Sequence, residues 1–348
     1  MRKSLSLSIL TLITAIGLTG CASSTPVSQP AQTEAKVEQS AAVQEREKVR
    51  MASWSKPIAE QSNLYLAEEK GWFEEAGLEF EYIPGAGGGD AVKNIVAGNA
   101  DIAFANVEAV LLAAEKGEKL KIIYNIYPEN VFNLVSLKES NIASIEDLKG
   151  KNVGVYSLSS GTYQNLKVLL SSAGMTENDV TIIEAGVLNF GPLMNKQVDA
   201  TAATDTGLYD AKQKGLGDVN VMEVKEVLNT PSDVFVVTEK TFNEKKEMLI
   251  KFLQVYRDSV KYTMEHPEEA AKVAVQAAID GKDEARNLEI IKIRNAVSMN
   301  EEMKEKGLGW LNADILKEVE ETYVNMGLLK GPVHIENMLT NEWVEQLK

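Results

Sequence analysis

The sequence predicts an α/β protein of two similar lobes, each a mostly parallel sheet flanked by helices, with a C-terminal helical tail. Three observations carry that reading. From residue 49 onward, apolar runs of strand length alternate with helical stretches, the pattern of strands joined through helices. The order of elements is written twice: "GNADIAFANVE" (98–108) returns as "KQVDATAATDT" (196–206), and the step of 24 residues from Gly77 to Asp101 is matched by 25 from Gly174 to Asp199. At 348 residues the chain also exceeds what one hydrophobic core usually serves.

In the first pass, "VRMASW" (49–54) is a strand and "PIAEQSNLYLAEEKG" (57–71) a helix stopped by Gly71. A turn of helix "WFEEAG" ends at Gly77, and "LEFEYI" alternates apolar with acidic residues as a half-exposed strand does. "PGAGGGD" leads to the helix "AVKNIVAG", with Asp90 as the expected N-cap; the strand "DIAFA", the helix "VEAVLLAAEKG" and the strand "KIIYNIY" follow. The second pass repeats the order. "NVGVY", "TYQNLKVLLSSAG", "VTIIEA", "PLMNKQ", "DATAA", "TDTGLYDAKQKG" and "VNVMEV" read as strand, helix, strand, short helix, strand, helix, strand. After residue 242 the spacing is helical: "MLIKFLQVYRDSVKYTM" keeps an apolar stripe, and "NADILKEVEETYVNMG" opens on the cap Asn312. These helices are expected on the outside of the lobes.

The N-terminus reads differently. Arg2 and Lys3 precede an apolar run from Leu5 to Leu18 and the sequence "LTGC" at 18–21, the layout of a secretory signal (1–20) with a lipoprotein cleavage site. The run is shorter than the roughly 20 residues of a membrane span. Residues 21–48 contain no aromatic residue and few large aliphatics, so they are expected to form a flexible tether. Losing Arg2 and Lys3 moves the formal charge from −15 to −17, which argues against nucleic acid and against a basic face for anionic lipid. Cys21 is the single cysteine, leaving no disulfide framework, no cysteine metal site and no thiol nucleophile in the remainder.

Five stretches together resemble the solute-binding proteins of bacterial ABC importers in the nitrate, sulfonate, taurine and thiamine-pyrimidine group. They are "LYLAEEKGWFEEAGLEFEY" (64–82), "GGGDAVKNIVAGNADIAFAN" (87–106), "SIEDLKGKNVGV" (144–155), "QVDA" (197–200) and "FNEKKEMLIKFLQVY" (242–256). The resemblance implies a two-lobed, type II periplasmic-binding-protein-like fold. Lobe one would hold 49–136 and 235–348, lobe two 140–230, with crossings near 132–140 and 230–238. It further implies acylation of Cys21 and anchoring by that lipid alone on the extracytoplasmic face of the cell membrane. A small-molecule ligand, a permease with its ATPase, no cofactor, no metal and a monomeric state complete the expectation. A sensor lipoprotein and an enzyme of pyrimidine biosynthesis are the alternatives. Only His266 and His334 are histidines, both in the tail, so binding is expected rather than catalysis.

Ligands of open α/β sheets sit outside the carboxyl ends of the strands, so the strand-to-helix loops supply the candidates. In lobe one these are Trp54, Ser55, Gly88, Asn106, Glu108 and Tyr127; in lobe two, Ser159, Ser160, Gly161, Thr162, Asn189, Thr204 and Asp205. Trp54 offers a stacking face, and "SLSSGT" (157–162) offers hydroxyls and free N–H groups at a helix start. "GAGGG" (85–89) is not a dinucleotide fingerprint, because it does not follow the first strand and Asn106 stands where an acid is needed. Glu108 and Asp205 fall in first helical turns, where the dipole alone favours an acid by about 0.3–1 kcal/mol. Lining a cleft, they would disfavour a bare anion. Lys56 is the one cationic side chain in these loops, which favours a nitrogen heterocycle such as a thiamine-precursor pyrimidine or flavin, with an alkanesulfonate left open.

Overall fold

A computed structural model describes residues 46–186 and 190–347. Its strands are β1 (Glu47–Ser53), β2 (Leu78–Ile83), β3 (Ile102–Asn106), β4 (Leu120–Tyr127), β5 (Phe132–Leu137), β6 (Asn152–Val155), β7 (Thr181–Glu184), β8 (Ala200–Thr204), β9 (Val219–Glu223) and β10 (Asp233–Thr238). The helices between the strands are α1 (Ser62–Glu69), α2 (Trp72–Glu75), α3 (Gly88–Val96), α4 (Val107–Glu115), α5 (Gly161–Ser172), α6 (Phe190–Met194) and α7 (Asp205–Gln213). The tail adds α8 (Glu239–Glu244), α9 (Lys246–Glu265), α10 (Pro267–Ala277), α11 (Glu284–Val297), α12 (Glu301–Lys306), α13 (Ala313–Asn325) and α14 (Glu342–Gln346). None of the described helices is long and apolar enough to cross a membrane. The signal and most of the tether, with Cys21, lie outside the described residues.

Two five-stranded mixed sheets form, in the orders β2-β1-β3-β10-β4 and β7-β6-β8-β5-β9. In each, one strand runs against the other four: β10 is antiparallel to β3 and β4, and β5 is antiparallel to β8 and β9. The two lobes therefore exchange their odd strand, β5 following β4 into the second sheet and β10 returning from β9 to the first. This moves the lobe boundary expected from the sequence. Residues 132–136 belong to lobe two, and the first crossing is the short link after Tyr127, because "FNLVSL" finds its ladder partners on β8 and β9. The crossings are tied to each other. Asn130 N–H donates to Asn229 Oδ1 at 2.9 Å, Val131 N–H donates to Ser232 Oγ at 2.9 Å, and Ser232 N–H donates to the Tyr127 carbonyl at 2.9 Å.

The repeated "AD" and "VD" have one structural job. Asp101 Oδ2 accepts from Arg50 N–H at 3.0 Å while Asp101 N–H donates to the Arg50 carbonyl at 2.8 Å. In lobe two Asp199 Oδ2 accepts from Asn152 N–H at 2.8 Å and its N–H returns 2.8 Å to the Asn152 carbonyl. Each aspartate docks the start of one parallel strand beside its neighbour, satisfying a backbone donor that the ladder leaves open. Asp90 is not the N-cap of α3. Gly87 takes that place at φ 139°, a value a side-chain-bearing residue rarely adopts, and Asp90 Oδ2 instead accepts from Ala86 N–H at 3.2 Å.

The core of lobe one lies under α1, α9 and α10, with Phe73, Phe104, Phe235, Phe252 and Tyr256 in mutual ring contact. A second apolar cluster runs through both lobes, joining Ala103 and Val110 to Leu134, Val153 and Leu166, and takes in Leu316 and Tyr323 of α13. The tail is thus more than an outer layer. α13 contributes Leu316, Val319 and Tyr323 to that shared cluster, and α11 packs against α7 of lobe two as well as α10.

Candidate ligand-binding cleft

The carboxyl ends of β1, β3, β6 and β8 and the starts of β5 and β10 meet around a cavity of about 130 Å³ walled by both lobes. One buried water needs roughly 10–15 Å³, so the space suits a small molecule. Trp54, Ile58, Val131, Phe132, Tyr156 and Ile290 make its apolar walls. Trp54, just after β1, stands edge-on to Phe104 of its own lobe (6.4 Å, 80°) and to Tyr156 of the other (6.3 Å, 84°). Its indole Nε1 has no hydrogen-bond partner among the described residues.

On one side the cleft is closed by the glycine loop. Gly89 N–H donates to the Ser159 carbonyl at 3.0 Å, and Ser159 Oγ donates to the Ala86 carbonyl at 2.9 Å, where Ser157 Oγ also donates. Glycine is required by proximity here. A Cβ on Gly87 would lie 2.5 Å from the Ser159 backbone, and one on Gly88 would lie 1.9 Å from Asn106 Oδ1. Ser160 caps α5: its Oγ accepts from Tyr163 N–H at 3.4 Å and lies 2.7 Å from Thr162 Oγ1, which accepts from Tyr156 N–H at 2.9 Å. Both residues face the cavity with Gly161, whose bare Cα allows Phe132 to close in, a Cβ there falling 2.4 Å from Phe132 Cζ.

A buried chain of amides and one acid runs from the cleft wall to the crossings. Asn106 Nδ2 donates to Glu108 Oε2 at 2.6 Å, Asn165 Nδ2 of α5 donates to Glu108 Oε1 at 2.9 Å, and Asn130 Nδ2 donates to Asn165 Oδ1 at 2.9 Å. Glu108 is fully buried, and burial pushes its carboxyl above the usual range despite those donors. Asn106 Oδ1 has no donor among the described residues.

The opposite side is closed by α11. Arg294, buried, donates through Nη2 to Glu60 Oε2 at 3.1 Å and to Thr206 Oγ1 at 3.0 Å, and through Nη1 to Asp205 Oδ1 at 2.7 Å. Thr206 Oγ1 also donates to Glu60 Oε2 at 2.9 Å. The guanidinium lies 5.1 Å over the Tyr127 ring. Burial opposes its charge, but Asp205 and Glu60 outweigh burial and hold it protonated. About two turns earlier on the same face of α11, Arg286 pairs with Asp210 and, at 3.0 Å, with Asp280.

Of the sequence candidates, Trp54, Gly88, Asn106, Ser160, Gly161, Thr162 and Thr204 lie in the cavity wall. Five do not. Ser55 is fully buried, donating to the Lys56 carbonyl at 2.7 Å; Glu108 sits behind Asn106; Tyr127 lies beneath Arg294; Ser159 latches the loops; and Asp205 is paired to Arg294. Asn189 and Cys21 fall outside the described residues. The loops alone omitted Glu60, Tyr156, Asp233, Arg286 and Arg294, all in the wall. The expectation that Lys56 is the local cation is replaced by Lys214, just after α7, and two arginines from the tail, Arg286 and Arg294. Their spacing with Ile290, four and eight residues apart, marks one helix face and was the available signal.

The family described as NMT1/THI5 like matches residues 59–270. The riboflavin-binding protein RibY of Chloroflexus aurantiacus is 25% identical over 335 residues, 94% of each chain. A 4-amino-5-hydroxymethyl-2-methylpyrimidine phosphate synthase of Aspergillus parasiticus is 23% identical over 222 residues, 60% of this chain and 64% of that one. Among solved structures, the alkanesulfonate-binding protein SsuA of Xanthomonas axonopodis pv. citri, bound to MOPS, superposes with a TM-score of 0.66 at 16% identity, covering 85% of this chain and 99% of that one.

Proposed function

The chain belongs to the NMT1/THI5-like family, and from that premise we propose that it is the solute-binding receptor of an ABC importer, holding a flat nitrogen heterocycle between its lobes. The observation that carries this reading is a cleft walled by the rings of Trp54, Phe132 and Tyr156 whose arginines are already committed to protein carboxylates. A sulfonate or nitrate would have to compete with Asp205 and Glu60 for Arg294. A neutral ring needs only stacking and a few donors and acceptors. The names of two relatives, one binding riboflavin and one making a pyrimidine phosphate, point to the same class of molecule. The described cavity wall contains neither histidine nor cysteine, which supports binding over catalysis.

In this reading Cys21 carries the lipid, the tether holds the lobes off the extracytoplasmic face of the membrane, and a monomer delivers its ligand to the permease. Labelled fatty acid incorporated into the parent but not into Cys21→Ala is the expected result for the anchor. For the ligand, the test is thermal unfolding of the folded part against riboflavin, 4-amino-5-hydroxymethyl-2-methylpyrimidine, taurine, alkanesulfonates and nitrate. A ligand at a hundred times its dissociation constant adds about 2.7 kcal/mol, which raises the midpoint by roughly 5 °C or more. A shift with a heterocycle supports the proposal; a shift with sulfonates alone contradicts it.

A further inference from the structure

Every charged group in the described cavity wall except one has a protein partner. Glu60 and Arg294 hold each other, Arg286 holds Asp210 and Asp280, and Lys214 lies 2.7 Å from Asp210. The exception is Asp233. Its carboxyl receives no hydrogen bond from any described residue, although the side chain is 6% exposed. As the first residue of β10 it stands opposite Asn106 on one side of the ladder and Tyr127 on the other. Asn106 has spare capacity as well: Glu108 fixes its Nδ2, which leaves Oδ1 as the end with no donor among the described residues. Asn106 Oδ1 is buried without a donor among the described residues, and the Asp233 carboxyl paired with it on the ladder lines the cavity, so one stretch of wall keeps unused hydrogen-bonding capacity.

We infer that Asp233, with Asn106 beside it, reads the ligand by hydrogen-bonding the edge of a heterocycle in which an N–H donor adjoins an acceptor, as in a lactam, imide or aminopyrimidine. This rests on the proposed function and names the residue that sets its specificity.

The protonation state follows from the surroundings. The groups facing Asp233 are Glu60 from the turn before α1, Glu108 from α4, Tyr127 from β4 and Arg294 from α11. Burial first, then Glu60 and Glu108, push the Asp233 carboxyl well above the usual range, and Arg294 opposes them. A neutral carboxylic acid carries one O–H donor and one C=O acceptor side by side, the complement of a lactam or amidine edge. An ionised one only accepts. Binding is therefore strongest while Asp233 keeps its proton and weakens as pH rises through its pKa.

The experiment is calorimetric titration of the intact protein, parent and variants, with riboflavin, N3-methylriboflavin and 4-amino-5-hydroxymethyl-2-methylpyrimidine, from pH 5 to 9. An asparagine side chain has the same donor and acceptor as a neutral acid. Asp233→Asn is thus expected to keep the parent's affinity within about threefold and to flatten its pH dependence, while Asp233→Leu, shown by melting to be folded, loses about tenfold or more. If riboflavin is the heterocycle bound, blocking its imide N–H in N3-methylriboflavin costs a similar factor. An unchanged affinity in Asp233→Leu, or a loss in Asp233→Asn as large as in Asp233→Leu, overturns the inference. Failure of the parent to bind either heterocycle overturns the proposed function itself, a different result from parent binding that ignores Asp233.

Discussion

Replacing Arg294 by methionine tests how the cleft is held together. The substitution keeps much of the side chain's length and removes the charge. It strands Glu60, which is buried and has Arg294 as its cationic partner, and it frees Asp205, whose side chain is 33% exposed and can rehydrate. Breaking a buried pair from one side costs about 3–5 kcal/mol, most of it from the acid left behind. The contact with Tyr127 adds about 0.5–2 kcal/mol. At roughly 2–4 °C per kcal/mol for a chain of this order, a loss of about 3.5–7 kcal/mol should lower the midpoint by about 7–28 °C. The double variant Arg294→Met with Glu60→Gln should recover more than half of that, because no buried charge is then unpaired. Urea and thermal unfolding of the three proteins measure both. A single-variant loss below about 1 kcal/mol, or a double variant no better than the single, would refute the assignment of Arg294 as the cleft's central cation.

Asp233→Asn should also stabilise the empty protein. The parent's folded-state carboxyl lies above its unfolded value, so its contribution is fully present at acid pH and is lost as pH rises through the folded pKa; the variant's advantage in melting temperature should be clear at pH 7–8 and vanish near pH 4. Asp101 has the opposite sign. Burial works against its charge, but hydrogen bonds from Arg50 and Lys245 prevail and hold the carboxyl below the usual range, so its stabilisation is present above the unfolded value and fades as pH falls through the folded one. Asp101→Asn should lower the midpoint at pH 7 and converge with the parent in strong acid, and Asp199→Asn, whose acid grips a backbone N–H and no arginine, should cost less. Gly161→Ala drives a methyl into the Phe132 ring, costing about 1–3 kcal/mol in denaturant melts and weakening ligand binding by moving that wall.

The fold was legible wherever the information is local. Alternation in "LEFEYI", the glycine stops and the duplicated aspartates mark strands, helices and strand docking, and those elements formed within a few residues of expectation. The destination of β5 was not legible, because a run such as "FNLVSL" states that it is a strand and not which sheet it joins. The same limit hid the arginines: the pattern of α11 says that it is a helix, and only its packing against α7 brings Arg286 and Arg294 to the cleft. Loop position singled out Trp54, Asn106 and Thr204, which lie in the cavity wall. It misplaced Ser55, Tyr127 and Asp205, each spent on a protein partner that position cannot reveal.

The central claim, that one molecule is held between walls from both lobes, is met most directly by calorimetry with whichever heterocycle raises the melting midpoint. Trp54→Leu removes a ring from lobe one and Tyr156→Leu a ring from lobe two. The account predicts that each variant, still folded, weakens binding by about tenfold, since an aromatic wall adds roughly 0.5–1.5 kcal/mol beyond the area it buries. Binding that survives both changes, or that depends on one lobe alone, would contradict it.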